Sequence, residues 1–202
     1  MDTYHVKADK VEVIYSSYDH FSTIKSDPSI FNTFPILNNP FFFILGSLSK
    51  RKNLKWVLDY ASKNPDSLFA ISGVSITTTD AGISKNVPKN IVFLGFLDDA
   101  RVKALMEKCM AFLLPSYYEG FGLTPLEALS CGARIIVSSA SSLREIYGKS
   151  ANYIDPYNTD IDLENLLLNP VESASLTLNK YSYEKSATKL YKVIKETTNI
   201  GS

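Results

Sequence analysis

Two glutamates, Glu119 and Glu127, stand eight positions apart in PSYYEGFGLTPLEALSCGA (115–133), with Gly120, Gly122 and a Thr124-Pro125 pair between them. Each carboxylate can accept two hydroxyl donors at once. A glycine-flanked turn running into a helix leaves backbone N–H groups and the positive end of the helix dipole facing an incoming anion. Thr124, Pro125 and Glu127 together have the form of a helix start: an N-cap, a proline at the first helical position and a capping-box acid. Glu127 therefore has a structural reading as a cap beside a ligand-binding one. Glu119 closes a segment that leaves a strand, where an acid gains nothing from burial unless something polar is bound. A second group, Lys50, Arg51 and Lys52 in GSLSKRKNL, follows a strand and precedes a helix that Asn53 is placed to cap. Three cations near a helix N-terminus oppose its dipole, each by roughly 0.3 kcal/mol or more. A bound diphosphate would reverse that sign, so the two loops converge on a phosphate-bearing ligand.

Positioning these loops requires a scaffold, and its outline is legible. FFFILG (41–46), LFAIS (68–72), IVFLG (91–95), AFLLP (111–115), RIIVS (134–138) and ANYI (151–154) are short apolar runs with little polar alternation. Such runs are expected of parallel strands covered on both faces. Between them Leu54, Val57, Leu58 and Ala61, and then Val102, Leu105, Met106 and Cys109, give apolar helix stripes. Ala187, Leu190, Tyr191 and Ile194 repeat the spacing near the end, predicting a C-terminal helix that docks on something apolar. Alternation at this pace implies right-handed βαβ units and an α/β fold, a doubly wound Rossmann-like parallel sheet that binds ligands at the strands' carboxyl ends. Residues 1–40 read as a linker or edge segment with one strand in VEVIYSSYD, residues 41–170 as the Rossmann-like ligand-binding unit, and residues 171–202 as a C-terminal helical segment.

Composition narrows the function. The 202 residues balance 21 Lys and Arg against 21 Asp and Glu, leaving no net field to draw in nucleic acid. No run reaches the length of a membrane span, and the N-terminus lacks the pattern of a signal peptide, so a cytoplasmic chain is expected. Cys109 and Cys131 sit in apolar contexts and read as buried free thiols. Asp98-Asp99 reads better as a helix cap than as a metal site, no zinc-ligand spacing occurs, and the serine pairs at 138–142 lack a nucleophile elbow. His5 and His20 read as ordinary surface histidines.

With GSLSKRKNL, IVFLGFLDDARVKALMEKCMAFLLPSYYEGFGLTPLEALSCGARIIVSSASSLREIYG and YSYEKSATKLYKVI in this order, the sequence resembles the C-terminal half of the retaining, GT-B-fold glycosyltransferases of the family 4 type. The resemblance covers residues 41–196, with a weaker echo in VEVIYSSYDHF. It implies a UDP- or GDP-linked sugar as donor substrate and no metal or other cofactor. It implies that Glu127 holds ribose hydroxyls and Glu119 bonds the donor sugar. Backbone N–H groups around Gly120, Phe121, Gly122, Leu123 and Thr124 would meet the diphosphate, opposite Arg51 and Lys52. Leu97 and Asp99 would lie beside the base, with Ser47 and Gly73 in the first and second loops. Glu119, Arg51 and Lys52 are thus the catalytic candidates. Ser47 departs from the arginine usual after the first-loop glycine, Ser16-Ser17 replaces the linker's usual Asn-Gly turn, and the second loop keeps only Gly73. The family's N-terminal, acceptor-binding domain with its catalytic histidine has no counterpart in residues 1–40. The expected partner is therefore such a domain or a separate subunit, and the whole enzyme is allowed a peripheral place at the inner membrane face. A non-catalytic nucleotide- or sugar-binding scaffold subunit is the rival reading, and a nucleotide-sugar epimerase a weaker third.

Overall fold

The computed structural model describes residues 6–46, 49–74 and 87–198. Ser47 and His5 lie outside the described residues. Six parallel strands form one sheet: β1 (Phe42–Leu45), β2 (Phe69–Ser72), β3 (Ile91–Gly95), β4 (Ala111–Leu114), β5 (Ile135–Ser138) and β6 (Asn152–Ile154), in the order β3-β2-β1-β4-β5-β6. The chain winds outward from β1 to β3, returns to β4 on the other side of β1, and winds outward again. β1 and β4 therefore flank the point where the strand order reverses, the place where sheets of this kind bind ligands beyond the strands' carboxyl ends.

The period-2 alternation of strand side chains divides the core between two faces. Phe43, Phe112, Leu114, Ile135 and Val137 point to one cluster, whereas Phe42, Phe69, Ile71, Leu113 and Ile136 point to the other. The helices are α1 (Asp19–Ser22), α2 (Ile30–Thr33), α3 (Leu54–Lys63), α4 (Asp99–Lys108), α5 (Leu123–Ser130), α6 (Leu143–Tyr147), α7 (Leu163–Leu168), α8 (Ala174–Leu178) and α9 (Tyr183–Thr198). On α3 the buried stripe is Trp56, Val57, Tyr60 and Ala61, and on α4 it includes Val102, Leu105 and Met106. Trp56 and Tyr60 stack at 5.2 Å with an interplanar angle of 5°. Truncating a fully buried ring such as Phe112 would cost about 3–5 kcal/mol.

Three expectations need correction. The strand foreseen in VEVIYSSYD is not formed: among its described residues, the segment before β1 contains α1, α2 and a 3-10 turn at Pro35–Asn38. Residues 11–19 are held instead by Ser186 Oγ donating to Tyr15 O, by the Lys189–Glu12 pair and by the Tyr15–Tyr181 ring contact, while Phe21, Ile30 and Leu37 sink into the first cluster and the Asp27 N–H donates to Ala100 O on α4 at 3.0 Å. α9 forms as foreseen, but no residue of it is buried, and Leu190, Tyr191 and Ile194 are exposed. Cys109 and Cys131 are free but only half-buried; burial of the Cys109 thiol still pushes its pKa up to about 12.

Candidate functional site

The crevice between β1 and β4 gathers the basic turn and the first acid. Lys50–Lys52 forms a single 3-10 turn after β1, and Asn53 follows it in the left-handed conformation at φ 55°. Asn53 does not cap α3 as the sequence suggested. Its buried amide instead donates to Pro115 O at 2.9 Å and Pro156 O at 2.8 Å, tying the basic turn to the loops after β4 and β6. The Tyr117 N–H adds a bond to Arg51 O at 2.9 Å. These ties aim Arg51 and Lys52 at Glu119. Arg51 Nη1 lies 2.7 Å from Glu119 Oε2 and 2.8 Å from Tyr118 O, and Lys52 Nζ lies 2.9 Å from Glu119 Oε1.

Glu119 is 7% exposed. Burial alone would raise its carboxyl, but the hydrogen bonds of Lys52, Ser116 and Arg51 and the Lys52 charge more than offset that and hold it below the ordinary range. Its backbone is equally fixed. The Glu119 N–H donates to Ser141 Oγ at 3.0 Å, and the Ser141 and Ser142 hydroxyls both donate to Glu119 O, at 2.8 and 3.0 Å. Ser141 adopts φ 49° to do this, a conformation that costs a serine on the order of 1 kcal/mol.

Beyond Glu119 the chain turns into α5 through Gly122. Gly122, at φ 79°, occupies the N-cap position, and no side chain caps the helix. This overturns the capping box: Thr124 lies within the first turn, and Glu127 is spared for another contact. A Cβ on Gly122 would come within 2.6 Å of Leu143 Cδ2, and the buried Tyr147 hydroxyl donates to Gly122 O. With no side-chain cap, the first N–H groups of α5 and its positive dipole end can take an anion. Phe121 packs edge-on against Tyr181 at 5.2 Å, and Gly120 is exposed.

Glu127 is 8% exposed on α5. His20 Nε2, from α1, stands 3.2 Å from its Oε1. Burial pushes the Glu127 carboxyl above the ordinary range, His20 opposes the rise and the Asp99 charge adds to it. Asp99 thus shares Glu127's surroundings from the first turn of α4, where Asp98 is the N-cap, accepting from the Arg101 N–H at 2.9 Å. Leu97 packs against the first core cluster. Gly73 lies against the first loop: a Cβ there would meet Gly46 O at 2.4 Å. The structure thus brings Arg51, Lys52 and Glu119 together and sets Glu127 apart on α5, where His20 stands against it and the Asp99 charge is felt. His20, Ser141, Ser142 and Tyr147 were not foreseen as parts of this arrangement. The serine-rich run 138–142 offered hydroxyls without naming their target, and nothing in the sequence pairs His20 with Glu127.

Among the described residues, no group of His, Cys, Asp or Glu side chains could hold a metal ion, and no helix is long and apolar enough to cross a membrane. Compared with known proteins, residues 27–195 match the family described as glycosyl transferases group 1. A serotype-specific mannosyltransferase of Escherichia coli is 40% identical over 77 residues, which are 38% of this chain and 9% of that protein. An O-antigen chain mannosyltransferase of Salmonella typhimurium is 24% identical over 159 residues, 76% of this chain and 42% of its own length. Among solved structures, an Anabaena protein in complex with UDP and glucose superimposes with TM-score 0.74 at 18% identity, over 96% of this chain and 59% of that one. Sucrose-phosphate synthase from Thermosynechococcus elongatus gives TM-score 0.71 at 16% identity, over 94% and 53%. The chain thus spans only part of each of these proteins, little more than half of the two solved chains.

Proposed function

Because the chain belongs to the glycosyl transferases group 1 family, we propose that it is the donor-binding domain, the C-terminal half, of a retaining enzyme of the family 4 type. The enzyme would move a sugar from a UDP- or GDP-sugar to a saccharide or lipid-linked acceptor. The observation that carries this reading is the Arg51–Glu119–Lys52 cluster at the reversal of strand order, beside the uncapped N-terminus of α5. In this reading the diphosphate lies between the two cations and the N–H groups around Phe121, Gly122, Leu123 and Thr124. As the bond from sugar to phosphate breaks, negative charge grows on the leaving diphosphate, and preorganised cations and N–H groups stabilise it more than they stabilise the ground state. Glu119, held ionised by the same cations, accepts hydroxyls of the donor sugar. Glu127 accepts the ribose hydroxyls, with Leu97 and Asp99 beside the base. The scheme assigns the leaving group to Arg51 and Lys52 rather than to a metal.

The acceptor-binding half is an N-terminal domain or a separate subunit, in a cytoplasmic setting. Its place is the surface formed by Val11, Val13, Ile14 and Tyr15 with Leu190, Tyr191 and Ile194, all exposed, an apolar area that favours a covering partner. The O-antigen chain in the name of the Salmonella relative favours a saccharide acceptor, and the UDP of the Anabaena complex favours UDP among the donors.

Calorimetric titration with UDP, GDP and ADP, without added metal, tests the reading. One nucleotide is expected to bind, and Glu127→Ala to abolish that binding. If none of the three binds at millimolar concentration, the donor-domain reading falls and the scaffold-subunit reading takes its place.

A further inference from the structure

His20 reaches Glu127 from a part of the chain 107 positions away, and the turn that carries it is held from three sides. Phe21 is buried in the first core cluster. Lys103 of α4 donates to the carbonyls of Phe21, Ser22 and Ile24, the last at 2.7 Å. Asp19 Oδ2 accepts the Tyr183 N–H at the start of α9, at 2.5 Å. A four-residue helix has little stability of its own, so this anchoring fixes where the imidazole stands. His20 Nε2 takes Oε1 of Glu127, and no described residue bonds Oε2. The imidazole is half-exposed, whereas the carboxylate is buried. A surface side chain therefore serves a group that the fold has taken out of water.

We propose that His20 is the positioning residue for Glu127: its imidazole occupies Oε1 and turns the carboxylate so that Oε2 faces the paired hydroxyls of a bound nucleoside. This rests on the reading of Glu127 as the ribose-binding acid. Orientation matters because a carboxylate receiving two vicinal hydroxyls must be both ionised and fixed in plane. Burial works against ionisation at this site and the Asp99 charge adds to it, while His20 acts in the opposite sense. The other charged and titratable groups nearby are Asp19 on the same turn as His20, Lys103 beneath that turn, and Tyr147 and Cys131, whose protons the Glu127 charge helps to retain. Among the described residues, none of these four contacts the Glu127 carboxylate, which His20 does.

The test is titration of the whole chain with UDP and GDP from about pH 5.5 to 8, for the wild type, His20→Ala, His20→Gln and Glu127→Ala. His20→Ala is expected to bind about tenfold more weakly at neutral pH, and the deficit widens in acid, where an unassisted Glu127 takes up its proton first. His20→Gln restores a donor without a charge, so it recovers most of the neutral-pH affinity and keeps the acid deficit. A loss that is the same at every pH, or wild-type binding by His20→Ala, overturns the proposal. If Glu127→Ala keeps full affinity, the nucleoside reading itself is wrong and this inference goes with it. Should His20→Ala fail to fold, His20→Gln decides alone: a wild-type pH profile for that variant overturns the assignment.

Discussion

Glu119 and Glu127 are the same residue type at nearly the same exposure, 7% and 8%, yet their carboxyls shift in opposite directions. Burial raises both; at Glu119 Lys52, Ser116 and Arg51 together reverse the outcome, whereas at Glu127 His20 reduces the rise without reversing it. A carboxyl whose folded value lies above its unfolded one favours the fold while protonated and opposes it once ionised. The penalty at Glu127 therefore appears as pH rises through the raised value and is complete at neutrality. Glu127→Gln keeps an acceptor for His20 and removes the buried charge. It should raise the melting temperature by roughly 2–4 °C at pH 7, the shift expected for about 1 kcal/mol in a chain of this size. Near pH 4, where the wild-type carboxyl is already largely protonated, the difference should vanish. Thermal melts of the two proteins at both pH values decide it, and equal melting temperatures at neutrality would show that the charge is not penalised. A residue kept for a ligand at the expense of the empty fold is the pattern expected where function opposes stability.

At the scale of elements, α5 depends on Gly122 in two ways: its φ of 79° suits glycine, and a Cβ would press on Leu143 Cδ2. Gly122→Ala should destabilise by about 2 kcal/mol or more and weaken nucleotide binding by displacing the first turn of α5. Denaturant unfolding joined to the UDP and GDP titration measures both effects, and an unchanged stability would mean that the turn relaxes freely. The same turn shows where the sequence was legible and where it was not. All six strands lie within the apolar runs that announced them, because burial on both faces leaves a composition signal that neighbouring residues carry themselves. The Asp98 cap was likewise local and was read correctly. Thr124 and Asn53 were misread because capping needs a particular backbone geometry, which here is set by the left-handed Gly122 and Asn53 and by distant carbonyls at Pro115 and Pro156. Ser141, Ser142 and His20 act on residues 22 to 107 positions away, and no local pattern carries such information.

In the whole molecule the six-stranded sheet places the acids and cations at one edge, while α9 and the segment before α1 stand together to one side. Ser186 Oγ donates to Tyr15 O at 2.7 Å, and Lys189 pairs with Glu12, so these two segments are tied to each other. The molecule carries no formal net charge, and the two cations aimed into the crevice are already matched to Glu119. A passing anion therefore meets a cluster with a net charge of about +1 and a short reach, since fields between exposed charges fade within roughly 10 Å at 0.1 M salt. It follows that the site captures its ligand by fit at contact rather than by attraction from afar, and changing the ionic strength should alter the affinity for UDP little. Glu119→Gln strips the cations of their counter-charge. That variant should hold inorganic phosphate and other small anions indiscriminately at low salt and release them as salt is added, a behaviour that titration with phosphate at two ionic strengths would detect. Glu119 would then do more than receive a sugar: while the crevice is empty it shields the cations from every anion that cannot displace it.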